Sequence, residues 1–523
     1  MKIIRSFLCM VMLMVLITLP SGPIEANQQP IFVKITNAVT NPAQSTPAPP
    51  YQQNFPVVFK GPAPTCHFGI AVVNSVNDYD LSTLGVGSYL DWSRLRNSSV
   101  PANIDYYNVL NVGDINYAAI KAQLPGLLMS NPGATWLIGN EPDAEVTYQD
   151  HVSAETYGER FFELATIIRQ NDPKAKIGFG TVIQLTPIRI FYLTKALNRL
   201  VQLAGSAVQA HALIDVYAVH GFNLNEQPLY DANGKNISWG AGVPIGYDPA
   251  TWPAPEVIRI DLGETYKTYD INIFKSRVIN FRQWMKDEGE QNKPLWITEF
   301  GSLFPSIGNI YLQVSDLQTA NFMDQTYDFM LGEKDPQLGF NDDDNRLVQK
   351  WTWYSLDQYR NVFGGSLFDP LTHQLTPVGE RFMQYEPSLA AVPVTNPDVY
   401  MMTDGLRVTP VIKSSQPGRV NYKITVKVSN NLSSDRHTGV QIDLFDAGTL
   451  IGSIQTELPR CGGTALASFL MNGLLPGSMH TFTARVTLLA GNGIDTNPAN
   501  NQVAFAPISL TPLLVYYLPA VYR

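Results

Sequence analysis

Between residues 66 and 387 the chain alternates short apolar runs with stripes of helical period. Eight runs read as strands. They are Phe68 to Val73, Gly85 to Tyr89, Tyr107 to Val112, Trp136 to Gly139, Lys176 to Gly180, Asp215 to His220, Pro294 to Thr298 and Gln349 to Tyr354. Their alternation with helical stripes argues for parallel strands joined by crossover helices. The helices between them are marked by spacing. Tyr157, Phe161, Leu164 and Ile168 fall on one stripe, and Phe274, Val278, Phe281 and Met285 repeat it ahead of Gly289, a left-handed stop. Ser315 and Gln318 form a capping box before Phe322, Met323, Thr326 and Phe329. Eight strand–helix repeats in this length predict an α/β fold, a (β/α)8 TIM barrel with insertions, over residues 66–387.

After Pro387 the period changes from helical to two. Tyr422, Ile424, Val426 and Val428 alternate with polar residues, as do Val440, Ile442 and Leu444, and Phe482, Ala484 and Val486. This predicts an all-β immunoglobulin-like sandwich over 401–510, joined to the barrel by a linker at 388–400 that contains Pro393 and Pro397. Residues 511–523 form an apolar tail, read either as a last strand or as a sorting tail. Residues 27–65 are rich in Pro, Ala, Ser and Thr and read as an extended linker.

Composition narrows the class. Of 523 residues, 45% are apolar and 15% charged, with a net charge of -9. No basic run is present, so nucleic acid is not an expected partner. Lys2 and Arg5 precede an apolar run from Phe7 to Leu19, and Ile24-Glu25-Ala26 offers a small-residue cleavage site. Residues 1–26 therefore read as a signal peptide, and the expectation is bacterial-type export with no membrane span after its removal. An uncleaved anchor is the alternative. Cys66 and Cys461 stand far apart, so no disulfide scaffold is expected.

The candidate chemistry lies at two strand ends. Trp136-Leu137-Ile138-Gly139 runs into Asn140-Glu141-Pro142-Asp143, and Leu295-Trp296-Ile297 runs into Thr298-Glu299-Phe300-Gly301. In a (β/α)8 barrel the C-terminal ends of the strands line the active site. Two carboxyls delivered there suit cleavage of a sugar–oxygen bond, which needs one protonated acid and one ionised carboxylate. No zinc-spaced Cys/His set, phosphate-cradling Gly loop or Ser nucleophile elbow is present. No metal or cofactor is therefore expected.

Asn140-Glu141-Pro142 and Thr298-Glu299-Phe300-Gly301, in this order and context, resemble the clan A glycoside hydrolases, and Trp136 to Asp143 resembles the Asn-Glu-Pro-Asp barrels of the β-1,3-glucanase-like group. The resemblance covers residues 66–387. It implies that Glu141 is the general acid/base and Glu299 the nucleophile of a retaining hydrolase. It also implies that Asn140 bonds the sugar 2-hydroxyl, that His220 stands near the site, and that Trp353 stacks on the sugar. Gly221-Phe222 departs from the His-x-Tyr that the clan often carries, and Tyr217 is one substitute for the missing Tyr.

The expected partner is a β-linked polysaccharide or oligosaccharide. The alternative is a catalytically inactive sugar-binding or adhesion protein on the same scaffold. In the sandwich, Val426 to Asn430, Leu475-Pro476-Gly477 and Asp495 to Asn501 resemble CARDB-type adhesion domains. That resemblance implies a spacer, a cell-surface contact or carbohydrate attachment.

Overall fold

A computed structural model describes residues 66–510, apart from 101–103, 146–148, 228, 231–235, 239, 259–264, 309–312, 344, 386–396, 403–405, 412–418, 431–437 and 459–463. The expected signal peptide, the linker at 27–65, most of the linker at 388–400 and the tail at 511–523 lie outside the described residues.

Eight parallel strands close into a barrel. They are β1 (Phe68–Val72), β2 (Ser88–Asp91), β3 (Asp105–Leu110), β4 (Thr135–Ile138), β5 (Lys176–Gly180), β6 (Val216–His220), β7 (Leu295–Gly301) and β8 (Lys350–Tyr354). Each pairs with its neighbour in sequence, and β8 pairs with β1 to close the ring. Strands β1, β6, β7 and β8 are buried at every position, which accounts for the apolar runs of β1 and β6, whereas β7 and β8 also bury Thr298, Glu299, Lys350 and Thr352. The helices around them include α1 (Tyr117–Ser130), α2 (Ala154–Asn171), α3 (Pro187–Ala204), α4 (Ile271–Asp287), α5 (Asp316–Gly332) and α6 (Pro377–Gln384). Their predicted stripes are the buried faces. Ser315 caps α5, its Oγ accepting from the Gln318 N–H at 3.0 Å.

Side-chain direction in two strands separates the barrel interior from the helix layer. On β6, Tyr217 meets Phe281 and Trp284 of α4, whereas His220 points into the barrel. On β8, Trp351 and Trp353 both reach Tyr327 of α5, while Lys350 lies inside over the Trp296 ring. Odd positions of β8 therefore face the helices, and Tyr354 faces inward.

Strand β7 carries one extra residue. Ile297 is level with Val219 of β6 and Trp351 of β8, but Glu299 is level with His220, and Phe300 with Trp353. Unbroken alternation would put Glu299 on the same face as Ile297, against the helices. The bulge at Thr298 reverses the parity and turns Glu299 inward.

The C-terminal region is a two-sheet sandwich. Its strands are β9 (Val399–Met401), β10 (Arg407–Val411), β11 (Val420–Asn430), β12 (Thr438–Asp446), β13 (Thr449–Leu458), β14 (Thr464–Leu474), β15 (Phe482–Leu488) and β16 (Gln502–Ala504). One sheet joins β9, β11, β10 and β14, and the other runs β13-β12-β15-β16. The alternating residues Tyr422 to Val428, Val440 to Leu444 and Phe482 to Val486 meet in its core. Strand β9 begins at Val399, inside the span expected to be linker, because Val399 and Met401 bury their side chains and pair with β11. Among the described residues no helix is long and apolar enough to cross a membrane. Cys66 is disulfide-bonded.

Candidate active site

The chain leaves β4 through three unusual residues. Gly139 has φ +98°, and a Cβ there would lie 2.8 Å from Thr181 Oγ1, so only glycine fits. Asn140 follows. Glu141 then adopts φ +47°, a left-handed conformation that costs a non-glycine residue about 1 kcal/mol. Its N–H donates to the Thr181 carbonyl at 3.0 Å.

The turn is pinned on its upstream side by Asp150. That carboxylate accepts from the Asn140 N–H at 2.6 Å, the Gly113 N–H at 3.0 Å and Asn111 Nδ2 at 3.1 Å. The Asp150 N–H in turn donates to the Asn140 carbonyl at 3.1 Å. The end of β3 and the end of β4 are thus tied through one buried acid.

Glu141, His220 and Glu299 converge. His220 Nδ1 lies 3.0 Å from Glu141 Oε1, and His220 Nε2 lies 3.5 Å from Glu299 Oε1. One polar atom from each of the three lies within 4.8 Å of the others, and all three side chains are buried. Burial pushes the Glu299 carboxyl up to about 7; the His220 charge opposes this, and Glu141 adds to it. For His220, burial favours the neutral ring, but Glu299, Glu141 and Asp143 outweigh it and leave the pKa raised. Glu299 and His220 each shift the other, and the imidazole stands in contact with both acids.

Among the described residues this is also a set of three side chains that could hold a metal ion. His220 Nδ1 faces Glu141 and Nε2 faces Glu299, so the imidazole itself bridges the two acids.

Other expected residues are placed differently. Asn140 adjoins Glu141, but its amide is engaged: Oδ1 accepts from Trp92 Nε1 at 3.1 Å, and Nδ2 donates to Gln149. Trp353 does not join the site. It is fully buried against Phe300 and Tyr327, and its indole N–H donates to the Gly365 carbonyl at 2.7 Å. A sugar-stacking role for Trp353 is therefore corrected: barrel register gives the inward place to Tyr354. Tyr217 is not the substitute for the missing strand-six Tyr either, because it faces α4 and its hydroxyl lies 3.5 Å from Glu290 Oε2. Phe222 stands edge-on to His220 and to Tyr354, at 6.1 and 6.2 Å between ring centres. Trp92 is 6.4 Å from Tyr354 by the same measure. Burial, and after it the charge of Glu299, push the Tyr354 pKa up.

Gln149, Asp150 and Tyr354 were not assigned to the site from sequence. Trp92 directly follows Asp91, the last residue of β2, on an early loop whose position marks it as a candidate contact to a distal sugar. The fold and site together define an eight-stranded parallel α/β barrel with two acids and one histidine at the C-terminal ends of β4, β6 and β7.

No family model matches the chain, and no curated protein matches it. Among solved structures it is similar to a glucosidase from Croceicoccus marinus, at 10% identity over 79% of this chain and 94% of that one, with a TM-score of 0.38. It is also similar to a GH128 oligosaccharide-binding protein from Trichoderma gamsii, at 15% identity over 61% and 92%, with a TM-score of 0.35. A CARDB domain from Pyrococcus furiosus, solved in complex with di-metal ions, matches 22% of this chain and 96% of its own at 17% identity, with a TM-score of 0.17. The barrel itself is defined by the strand pairing of this chain.

Proposed function

We propose that the chain is an exported glycoside hydrolase that cleaves a β-linked polysaccharide with retention of configuration. The observation that carries this reading is the approach of Glu141 and Glu299, one oxygen of each within 4.8 Å, at the C-terminal end of a barrel. Inverting enzymes hold their carboxyls about 6.5–9.5 Å apart to admit a water, whereas retaining ones hold them about 5–5.5 Å apart.

In the proposed mechanism Glu299 attacks the anomeric carbon, and the bond to the leaving oxygen breaks. Glu141 gives that oxygen its proton. Water then adds to the anomeric carbon, Glu141 takes its proton, and the ester to Glu299 breaks to free the sugar. Before the first step the proton must sit on Glu141. In the free protein burial raises the Glu299 pKa. His220, in contact with both acids, is the route by which one proton can pass from Glu299 to Glu141 as the sugar enters.

The test is Glu299→Gly. It should abolish hydrolysis of an active glycan, and azide should restore part of it as a glycosyl azide. NMR of the first-formed anomer decides the stereochemistry, and an inverted product excludes Glu299 as nucleophile. A screen on laminarin, galactan, xylan, mannan and cellulose finds the substrate.

A second reading is a sugar-binding barrel without turnover. It is favoured by Phe222, which supplies no hydroxyl beside His220. Glycan binding without hydrolysis across the same screen would select it. The sandwich is proposed as the surface or glycan contact.

A further inference from the structure

We propose that Arg189 is a positioning residue of this site, holding the segment after Glu141 in place through Asp143. The inference rests on the hydrolase reading for its activity arm only.

Arg189 lies in the first turn of α3 and is fully buried. Its five N–H donors are all spent. Nη1 donates to the Asp143 carbonyl at 2.5 Å and to Asp143 Oδ2 at 2.9 Å. Nε and Nη2 donate to Glu226 Oε2 at 2.9 and 2.5 Å, and Nη2 also donates to the Gly242 carbonyl. Asp143 stands two residues after Glu141, and Glu226 six residues after His220. One guanidinium therefore clamps the exits of β4 and β6, the two strands that deliver Glu141 and His220.

The clamp is specific in geometry and in charge. Asp143 and Glu226 have fully buried side chains, and Arg189 pairs with both. Five donors in a fixed fork suit arginine, and lysine has only three. Gly242 has φ +78°, and a Cβ there would meet Glu145 Cβ at 2.3 Å, so the backbone that receives the guanidinium is packed directly on the loop after Glu141. Asp150 fixes Asn140 from the other side. Glu141, in its left-handed conformation, is thus braced at both flanks.

The clamp also reaches the electrostatics of the site. Burial pushes Asp143 up to about 6, and Arg189 opposes this by favouring its carboxylate. Asp143 is in turn one of three acids, with Glu299 and Glu141, that raise His220. Other titratable groups feel these acids: Tyr354 feels Glu299 and Glu141, and Tyr157 and Tyr192 feel Asp143.

The test uses the full chain. In Arg189→Met, kcat should fall about 10–100-fold while KM stays within about threefold, and Arg189→Lys should recover part of the loss. Arg189→Met leaves two buried acids without a cation and can fail to fold. A triple variant with no charge in the cluster, Arg189→Met with Asp143→Asn and Glu226→Gln, removes that burden. It should keep near-wild-type melting and still show the kcat loss. NMR titration of the His220 ring supplies a readout without turnover. The His220 pKa should fall in Arg189→Met, where Asp143 loses the cation that favours its carboxylate, and by less in Arg189→Lys. Wild-type kcat and an unmoved His220 titration in a folded variant would overturn the proposal. If the wild-type chain hydrolyses no glycan, the hydrolase reading fails, and the His220 titration alone decides this one.

Discussion

The two ends of the barrel are built from the same eight strands and handle buried charge in opposite ways. At the N-terminal end, Lys350 lies over the Trp296 and Tyr107 rings at 4.9 and 5.9 Å and reaches Asp105 at 3.4 Å. Just before β6, Asp215 pairs with Arg169 at 2.5 Å and with Lys427 of the sandwich at 3.2 Å. Burial alone would raise the Asp215 pKa, but Lys427 and Arg169 hold it well below the usual carboxylate range. At the C-terminal end, two acids share one imidazole, and Glu299 is pushed up. The N-terminal end sets its acids against cations, although burial with Lys350 and Lys427 pushes the Lys176 pKa down to about 7. The C-terminal end sets two acids against one imidazole, and the raised Glu299 costs stability as pH rises through its pKa.

The largest test of this contrast is at the acids. Glu141→Gln and Glu299→Gln should each lower kcat/KM about 10³-fold or more, with the fold retained. Asp215→Asn should leave turnover per folded molecule unchanged. If Asp215→Asn costs as much activity as Glu299→Gln, the division between the ends is wrong.

Stability against pH is the next test. A carboxyl whose pKa is raised to about 7 binds more protons folded than unfolded, so its contribution is lost as pH rises from the unfolded carboxylate range through 7. Glu299→Gln should therefore be more stable than wild type at pH 8, by on the order of 1–3 kcal/mol, and similar to it at pH 5. Urea midpoints at the two pH values measure this. Asp215 has the opposite sign. Its pairs stabilise above the unfolded carboxylate pKa and weaken as pH falls below about 4. Asp215→Asn should thus cost about 1–2 kcal/mol at pH 7 and less at pH 3. A deficit that grows on acidification would contradict the pairing.

Sequence legibility divides along the same physical lines. Strands buried on both faces were legible as apolar runs, and β5 begins and ends where its run does. Strand β2 starts at Ser88, three residues after the weak Gly85 signal, because Gly85 itself sits at φ +67°. Glu141 and Glu299 were legible from their strand-end motifs. What turns Glu299 inward was not, since alternation alone points it at the helices and the Thr298 bulge leaves no mark in composition. Trp92, Asp150 and Arg189 act on residues about 10 to 48 positions away, across loops whose approach only the closed barrel sets.

The smallest effect separates Trp353 from its neighbour. The two side chains are adjacent in sequence and face opposite layers. Trp353→Phe removes the indole bond to Gly365 and some volume between β8 and α5. It should lower the melting temperature and leave turnover per folded molecule within about twofold. Tyr354→Phe keeps the ring against Trp92 and Phe222 and removes only a hydroxyl held near Glu299 by Gln358. It should lower kcat/KM about fivefold, close to 1 kcal/mol in the barrier, with little change in melting. The reverse pattern, with activity lost at Trp353 and stability lost at Tyr354, would mean that β8 is out of register by one residue. The inward place beside Glu299 would then belong to the tryptophan after all.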